Sequence, residues 1–211
     1  MVTKKKDKKD ILTLQTYFPT VIGVALNPDH KAVEDKLTKK CLEIRKKVKK
    51  GPKEGLADDT YNTLLTHDLS TDPDFSGVNE FVTNQVIEYC KAQSIDLNCL
   101  STNAVESWLN IYKKNNSQEW HIHSNVMVSA SYYLRCNDSS AKIYFKTPVT
   151  DMMSPNILSY NDLNFTQVWF QPKPGTVLIF RSYLAHCVGR QKNNDIRISL
   201  SYNFRKKYER T

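Results

Sequence analysis

The sequence predicts a mostly β protein, a double-sheet jelly roll with helices packed outside it, and three observations carry that prediction. Eight segments in the second half alternate apolar and polar residues, two amphipathic helical stretches precede them, and no segment resembles an interdomain linker or an internal repeat. With 211 residues, 40% of them apolar, one sizeable core can be buried.

The chain starts Met-Val-Thr-Lys-Lys-Lys-Asp-Lys-Lys-Asp, a basic run with no apolar stretch. It predicts a disordered tail over residues 1–10, no secretory signal, and a single domain over 11–211. Residues 31–50 read as a helix: Val33, Leu37, Cys41, Ile44 and Val48 fall on one stripe, lysines surround it, and Gly51-Pro52 closes it. A second helix, 74–93, is begun by Ser70-Thr-Asp-Pro-Asp and turns Phe75, Val78, Phe81, Val82, Val86, Ile87 and Cys90 inward. Strands are then predicted over 105–113, 120–123, 128–135, 142–146, 165–171, 176–181, 186–188 and 196–204, enough for two sheets. Between Thr147 and Asn164, a stretch with Met152, Met153 and Pro155 reads as a long loop. Loops of that length in compact domains are often lids or binding loops, so this one is the candidate substrate contact.

Charge is unevenly placed. Residues 1–50 hold fourteen Lys and Arg against six Asp and Glu, which accounts for the whole net charge of +8, and residues 51–211 balance at sixteen each. Such a basic helix face is usually just solvated, with binding to nucleic acid as the lesser alternative. No apolar run approaches the roughly 18 residues that span a bilayer, so no membrane association is expected. The five cysteines are scattered with no Cys-x-x-Cys pair, which fits reduced thiols and a cytoplasmic location. Cys187 adjoins His186 but points to the opposite strand face, where it is expected to be buried and inert.

The run Glu119-Trp-His-Ile-His carries the chemistry. In an extended strand His121 and His123 leave the same face, roughly 7 Å apart, and Ile122 points the other way into a core. A third ligand has to come from another strand. His186 is suitable, because it follows the turn Lys173-Pro-Gly and the apolar strand Thr176-Val-Leu-Ile-Phe-Arg. Three nitrogen ligands leave coordination positions open, which suits a first-row metal used for chemistry better than a structural zinc. A solvated or hydrogen-bonded histidine pair would give the same spacing. Arg197 adds weight: on an alternating strand with Ser199 two positions on, it can grip a carboxylate through charge-assisted hydrogen bonds.

These blocks together resemble a known family. Trp108-Leu-Asn-Ile-Tyr, Glu119-Trp-His-Ile-His-Ser, Ser129-Ala-Ser-Tyr-Tyr-Leu, Lys173-Pro-Gly, Ser182-Tyr-Leu-Ala-His-Cys-Val and Arg197-Ile-Ser-Leu-Ser-Tyr-Asn-Phe occur in the order and spacing of the iron(II)- and 2-oxoglutarate-dependent dioxygenases common in marine bacteria and their phages, relatives of the prolyl hydroxylases. Weaker similarity reaches Tyr17-Phe-Pro-Thr-Val-Ile, which looks like the family's opening strand. The resemblance implies a double-stranded β-helix of the cupin-like jelly-roll type. It also implies iron(II) held by His121, His123 and His186, and 2-oxoglutarate gripped by Arg197 and Ser199, with Tyr112 and Asn110 as further contacts and O2 as co-reactant. The wider superfamily has a carboxylate where His123 stands, and His-x-His is this family's usual form. Glu119, on the strand face of His121, is the competing ligand, or it orients a ligand imidazole. Ser124 replaces the proline that more often follows His-x-His.

The implied reaction is hydroxylation of a small-molecule, peptide or protein substrate with release of succinate and CO2, in the cytoplasm, or in the host's cytoplasm if the chain is phage-encoded. A peptidyl proline is the preferred substrate by analogy. Two alternatives stay open: a three-histidine cupin-type metalloenzyme that does not use 2-oxoglutarate, and a non-catalytic jelly-roll binding module. Neither the substrate nor the oligomeric state follows from the sequence.

Overall fold

Alternation of side chains on the strands sets the architecture. The computed structural model describes residues 14–52, 59–101, 106–149 and 155–207. Among them the elements are β1 (Ile22–Leu26), α1 (His30–Lys47), β2 (Tyr61–Asn62), α2 (Ser76–Ala92), β3 (Glu106–Tyr112), β4 (Gln118–His121), β5 (Val128–Arg135), β6 (Ile143–Lys146), β7 (Gln167–Phe170), β8 (Thr176–Arg181), β9 (His186–Val188) and β10 (Arg197–Phe204). They form a six-stranded sheet in the order β1-β8-β5-β10-β3-β2 and a four-stranded sheet in the order β4-β9-β6-β7, with every pairing antiparallel. The last eight strands divide four and four between the sheets, alternating except at the β6–β7 pair within the small sheet, as in a double-stranded β-helix, and all eight predicted strands are present, some with shifted ends.

β10 shows how one strand serves both a core and a site. Ile198, Leu200, Tyr202 and Phe204 join the apolar cluster that the large sheet shares with both helices. Arg197, Ser199 and Asn203 alternate with them and are buried as well, although they are polar. The polar face of a half-buried strand normally meets water; here it meets the second sheet, so these groups need partners inside the protein. The helices cover the other face. Leu37, Cys41 and Ile44 of α1 and Val78, Val82, Val86 and Cys90 of α2 pack on it, each 5% exposed or less. Truncating such a side chain to alanine typically costs about 2–5 kcal/mol.

Local chemistry sets the element ends. Asp72 accepts a hydrogen bond from the Asp74 backbone at 3.1 Å and Pro73 follows it, so the chain enters α2 through a short 3-10 turn. Gly175 holds φ at +79° in the turn Lys173-Pro-Gly-Thr ahead of β8, and a Cβ there would meet His30 at 2.7 Å. With proline at the second position and glycine at the third, this is a type II turn, and glycine is the residue that fits.

Several expectations need correcting. α1 stops at Lys47, because Val48 is already extended, and so falls short of residue 50. The opening strand is Ile22–Leu26, whereas Tyr17 and Phe18 are 71% and 93% exposed. Ile122 is 52% exposed and not in a core, since β4 ends at His121 and the chain then turns along the surface. Ile87 and Cys187 are half-buried rather than buried. β2 was not foreseen: two residues are too short to show a period. The stretch between β6 and β7 contains neither helix nor strand among its described residues. The basic tail, Met152 and Met153 lie outside the described residues. All five cysteines are free, and no helix among the described residues is long and apolar enough to cross a membrane.

Candidate active site

Two neighbouring strands of the small sheet bring the histidines together. His121 and His186 are register partners on β4 and β9, with ring centroids 4.2 Å apart. His123 lies beyond the end of β4, where its backbone N–H donates to Ser182 O at 3.0 Å, and its ring centroid is 5.2 Å from His121 and 5.0 Å from His186. One potential ligand nitrogen from each lies within 4.8 Å of the others, and no further His, Cys, Asp or Glu joins this group among the described residues. Glu119 is exposed and outside the cluster. The reason is a register shift between Gln118 and His121, which breaks the alternation that would have put Glu119 on the histidine face.

Each imidazole is already oriented. His121 Nδ1 faces Glu119 O at 2.7 Å and His186 Nδ1 faces Leu184 O at 2.9 Å. A carbonyl oxygen only accepts, so each Nδ1 carries the proton and each Nε2 keeps its lone pair; that of His121 accepts from Gln118 Nε2 at 3.2 Å, a bond that a metal ligated there would replace. His123 Nδ1 is held in the same sense by Asn203 Oδ1 at 2.7 Å, with Ser129 Oγ at 2.9 Å. Burial is the largest cause depressing all three basicities: His121 falls below the usual histidine range, His123 is held at about 4, and His186 lies well below the ordinary value. Phe180 and Phe145 help to keep His186 dry, with ring centroids 4.7 and 5.9 Å from it. All three rings are therefore neutral at physiological pH. That is the protonation state in which a histidine can ligate a metal.

The cavity beside the histidines is lined among others by Trp108, Tyr112, Gln118, Phe180, Arg197 and Ser199. Arg197 is 1% exposed and makes no ion pair with any acidic side chain among the described residues. Its guanidinium carbon sits 4.4 Å from the Tyr112 ring centroid and 5.2 Å from that of Tyr133, and Nη1 reaches Ser199 Oγ at a long 3.4 Å. Arg197 Nε and the Tyr133 hydroxyl are buried without a hydrogen-bond partner in the protein. An unneutralised buried cation is costly, and a carboxylate in this cavity, which Arg197 and Ser199 line, would neutralise it.

The remaining anticipated residues fall into two groups. Tyr112 faces Arg197 in register, and its hydroxyl donates to Gln118 Oε1 at 2.8 Å. Asn110 stands one step back, donating at 3.0 Å to Ser201 Oγ, which lines the cavity. Gln118 went unanticipated. Its Nε2 donates to His121 Nε2 at 3.2 Å, so a single amide joins His121 to Tyr112, and the irregularity in β4 that puts it there leaves no trace in an alternation pattern. Asn203 and Tyr133 were missed as well, because their importance depends on which strand lies opposite.

Comparison with known proteins bears on this geometry. Residues 106–203 match the family described as "Putative 2OG-Fe(II) oxygenase", and that span contains the three histidines, Tyr112, Arg197 and Ser199. Over this stretch the chain is a 2OG-Fe(II) oxygenase. It is thus an oxidoreductase that depends on iron(II) and 2-oxoglutarate. No curated protein matches it. Among solved structures, a prolyl-4-hydroxylase of Pseudomonas putida is 14% identical over 90% of this chain and 94% of its own, with a TM-score of 0.62. HygX of Streptomyces hygroscopicus, solved with nickel and 2-oxoglutarate, is 12% identical over 90% and 84%, with a TM-score of 0.62. A prolyl hydroxylase of Trichoplax adhaerens, solved with a hypoxia inducible factor peptide, is 11% identical over 87% and 82%, with a TM-score of 0.60. Likeness at these identities concerns the fold.

Proposed function

We propose that this 2OG-Fe(II) oxygenase hydroxylates a substrate C–H bond, with His121, His123 and His186 as the iron ligands and Arg197 as the anchor of the distal carboxylate of 2-oxoglutarate. One observation carries the reading: three neutral imidazoles share a cavity with a buried arginine that has no anionic partner among the described residues. Iron(II), when bound, would activate O2, the oxidant, and 2-oxoglutarate would be the electron-supplying cosubstrate: one oxygen atom ends in succinate as CO2 leaves, and the other in the substrate hydroxyl.

The chain's own residues position and protect. The imidazoles offer Nε2, because their Nδ1 protons are committed to Glu119 O, Leu184 O and Asn203 Oδ1. Arg197 and the Ser199 hydroxyl grip a carboxylate, and Tyr112 and Gln118 offer polar groups along the path between that anchor and the histidines. Phe145 and Phe180 exclude water from the reacting end. The two alternatives from the sequence fare worse. A three-histidine enzyme without 2-oxoglutarate, or a simple binding module, leaves the buried Arg197 with nothing to neutralise it.

Phe145 also lines an open cleft of about 670 Å³, together with Tyr17, Phe18, Lys146, Leu163 and Phe165. This cleft is the proposed substrate entrance, and Thr147, Val149, Asp162 and Leu163 of the 147–164 segment are among the residues that line it. An open groove with exposed aromatic rings suits an extended polypeptide better than a small metabolite, which enclosed pockets hold best. A prolyl side chain is the first candidate, in line with the two prolyl hydroxylases of similar fold. The test is succinate release by iron-loaded protein, with and without proline-containing peptides. Stimulation by peptides supports the reading; stimulation only by small metabolites replaces the substrate class, and no 2-oxoglutarate turnover under any condition removes the function.

A further inference from the structure

His123 and its two neighbouring histidines bring no negative charge to the cluster. A carboxylate is nevertheless connected to it. Asn203 Oδ1 is 2.7 Å from His123 Nδ1, Asn203 Nδ2 donates to Glu106 Oε2 at 3.1 Å, and Arg205 Nη2 donates to the other carboxylate oxygen at 2.8 Å. Chemistry fixes the direction of each bond. An ionised carboxylate only accepts, so Asn203 must turn its NH2 toward Glu106 and its carbonyl toward His123. The imidazole then donates from Nδ1 and leaves Nε2 bare.

The fold holds this line in place. Glu106 and Asn203 are register partners on β3 and β10, Asn203 is 5% exposed, and the Ser129 hydroxyl of β5 donates to the same Asn203 oxygen at 2.9 Å. His121 and His186 differ: their Nδ1 protons go to backbone carbonyls. Among the three histidines, His123 alone has a charged side chain behind its Nδ1 partner among the described residues.

We propose that Glu106, acting through Asn203, is a positioning residue for His123, orienting its ring and supplying negative charge that makes Nε2 a stronger donor to a divalent metal. The proposal rests on His123 being a ligand. Outer partners of ligating histidines are typically worth about 10–100-fold in metal affinity.

Iron(II) affinity of the full-length protein, measured anaerobically by competition with a chromogenic chelator, tests it, with thermal melting as the check on folding. Glu106→Gln is expected to bind iron at least tenfold more weakly. Glu106→Gln combined with Asn203→Asp moves the carboxylate directly onto Nδ1, and affinity should return to the wild-type level or above. Arg205→Leu breaks the same ion pair from its other side but keeps the carboxylate, so affinity should hold or rise. Should Glu106→Gln fail to fold, Glu106→Asp, which keeps the charge but withdraws it from Asn203, is expected to weaken binding as well. Unchanged affinity in Glu106→Gln, absence of rescue by Asn203→Asp, or an equal loss in Arg205→Leu would overturn the relay while leaving the ligand assignment intact. Wild-type affinity in His123→Ala would instead overturn the ligand assignment, and the relay with it.

Discussion

Replacing Arg197 with leucine should move binding and stability in opposite directions. Its guanidinium is 1% exposed and has no acidic partner among the described residues, so the protein without 2-oxoglutarate carries a desolvated, unneutralised cation. That burial costs several kcal/mol. The Tyr112 and Tyr133 rings, at 4.4 and 5.2 Å, return about 1–2 kcal/mol each. The Ser199 contact, at 3.4 Å, is too long to add much. Leucine fills much of the same space without the charge, so the metal-free protein should gain about 1–2 kcal/mol. For a chain of this size that is a rise in melting temperature of roughly 2–8 °C. Binding goes the other way. Losing one member of a buried charge pair costs about 2–5 kcal/mol, and at about 1.4 kcal/mol per decade this is roughly thirtyfold to several-thousandfold weaker 2-oxoglutarate binding. Calorimetric titration with 2-oxoglutarate and a melt of the metal-free protein give both numbers. A lower melting temperature with 2-oxoglutarate affinity within twofold of wild type would refute the reasoning, because Arg197 would then be a structural residue.

Other outcomes follow from the same geometry. His121→Ala and His186→Ala should each abolish stoichiometric iron measured by elemental analysis, whereas Glu119→Gln, an exposed position outside the cluster, should retain it. Because burial holds His30, His121, His123 and His186 below the ordinary histidine range, the native metal-free protein takes up fewer protons than the unfolded chain once pH drops below about 6.5. Its stability should therefore fall as pH goes from about 6.5 toward 4 and stay insensitive to these groups above 6.5; a urea midpoint unchanged between pH 7.5 and 5 would contradict the burial. Gly175→Ala should destabilise by more than about 1 kcal/mol, since φ is +79° and the added Cβ would come within 2.7 Å of His30, and an unchanged melting temperature would count against the turn described.

Alternation and spacing made much of this fold and site legible. The eight jelly-roll strands and the shared face of Arg197 and Ser199 are features of single strands, and a period of two exposes them, whereas the meeting of His121 and His186 depends on the pairing of β4 with β9. What escaped detection depends on pairing between strands or on breaks in the pattern. Gln118 faces the cluster because β4 is irregular between Gln118 and His121, and the same irregularity turned Glu119 outward. Asn203 reads as one more polar residue on an alternating strand until Glu106 is seen opposite it and His123 beyond. Ile122 appeared to be core because the strand was extended two residues too far. Tyr133 looked like packing, yet the Arg197 guanidinium lies over its ring, 5.2 Å from the centroid.

The most direct test is anaerobic titration of the iron(II)-loaded protein with 2-oxoglutarate, followed by the weak visible absorption that accompanies chelation of iron(II) by a 2-keto acid. A saturable band in the wild type that needs far more 2-oxoglutarate in Arg197→Leu is the predicted result. Stoichiometric iron with no band at any concentration would contradict the assignment of this cavity to 2-oxoglutarate.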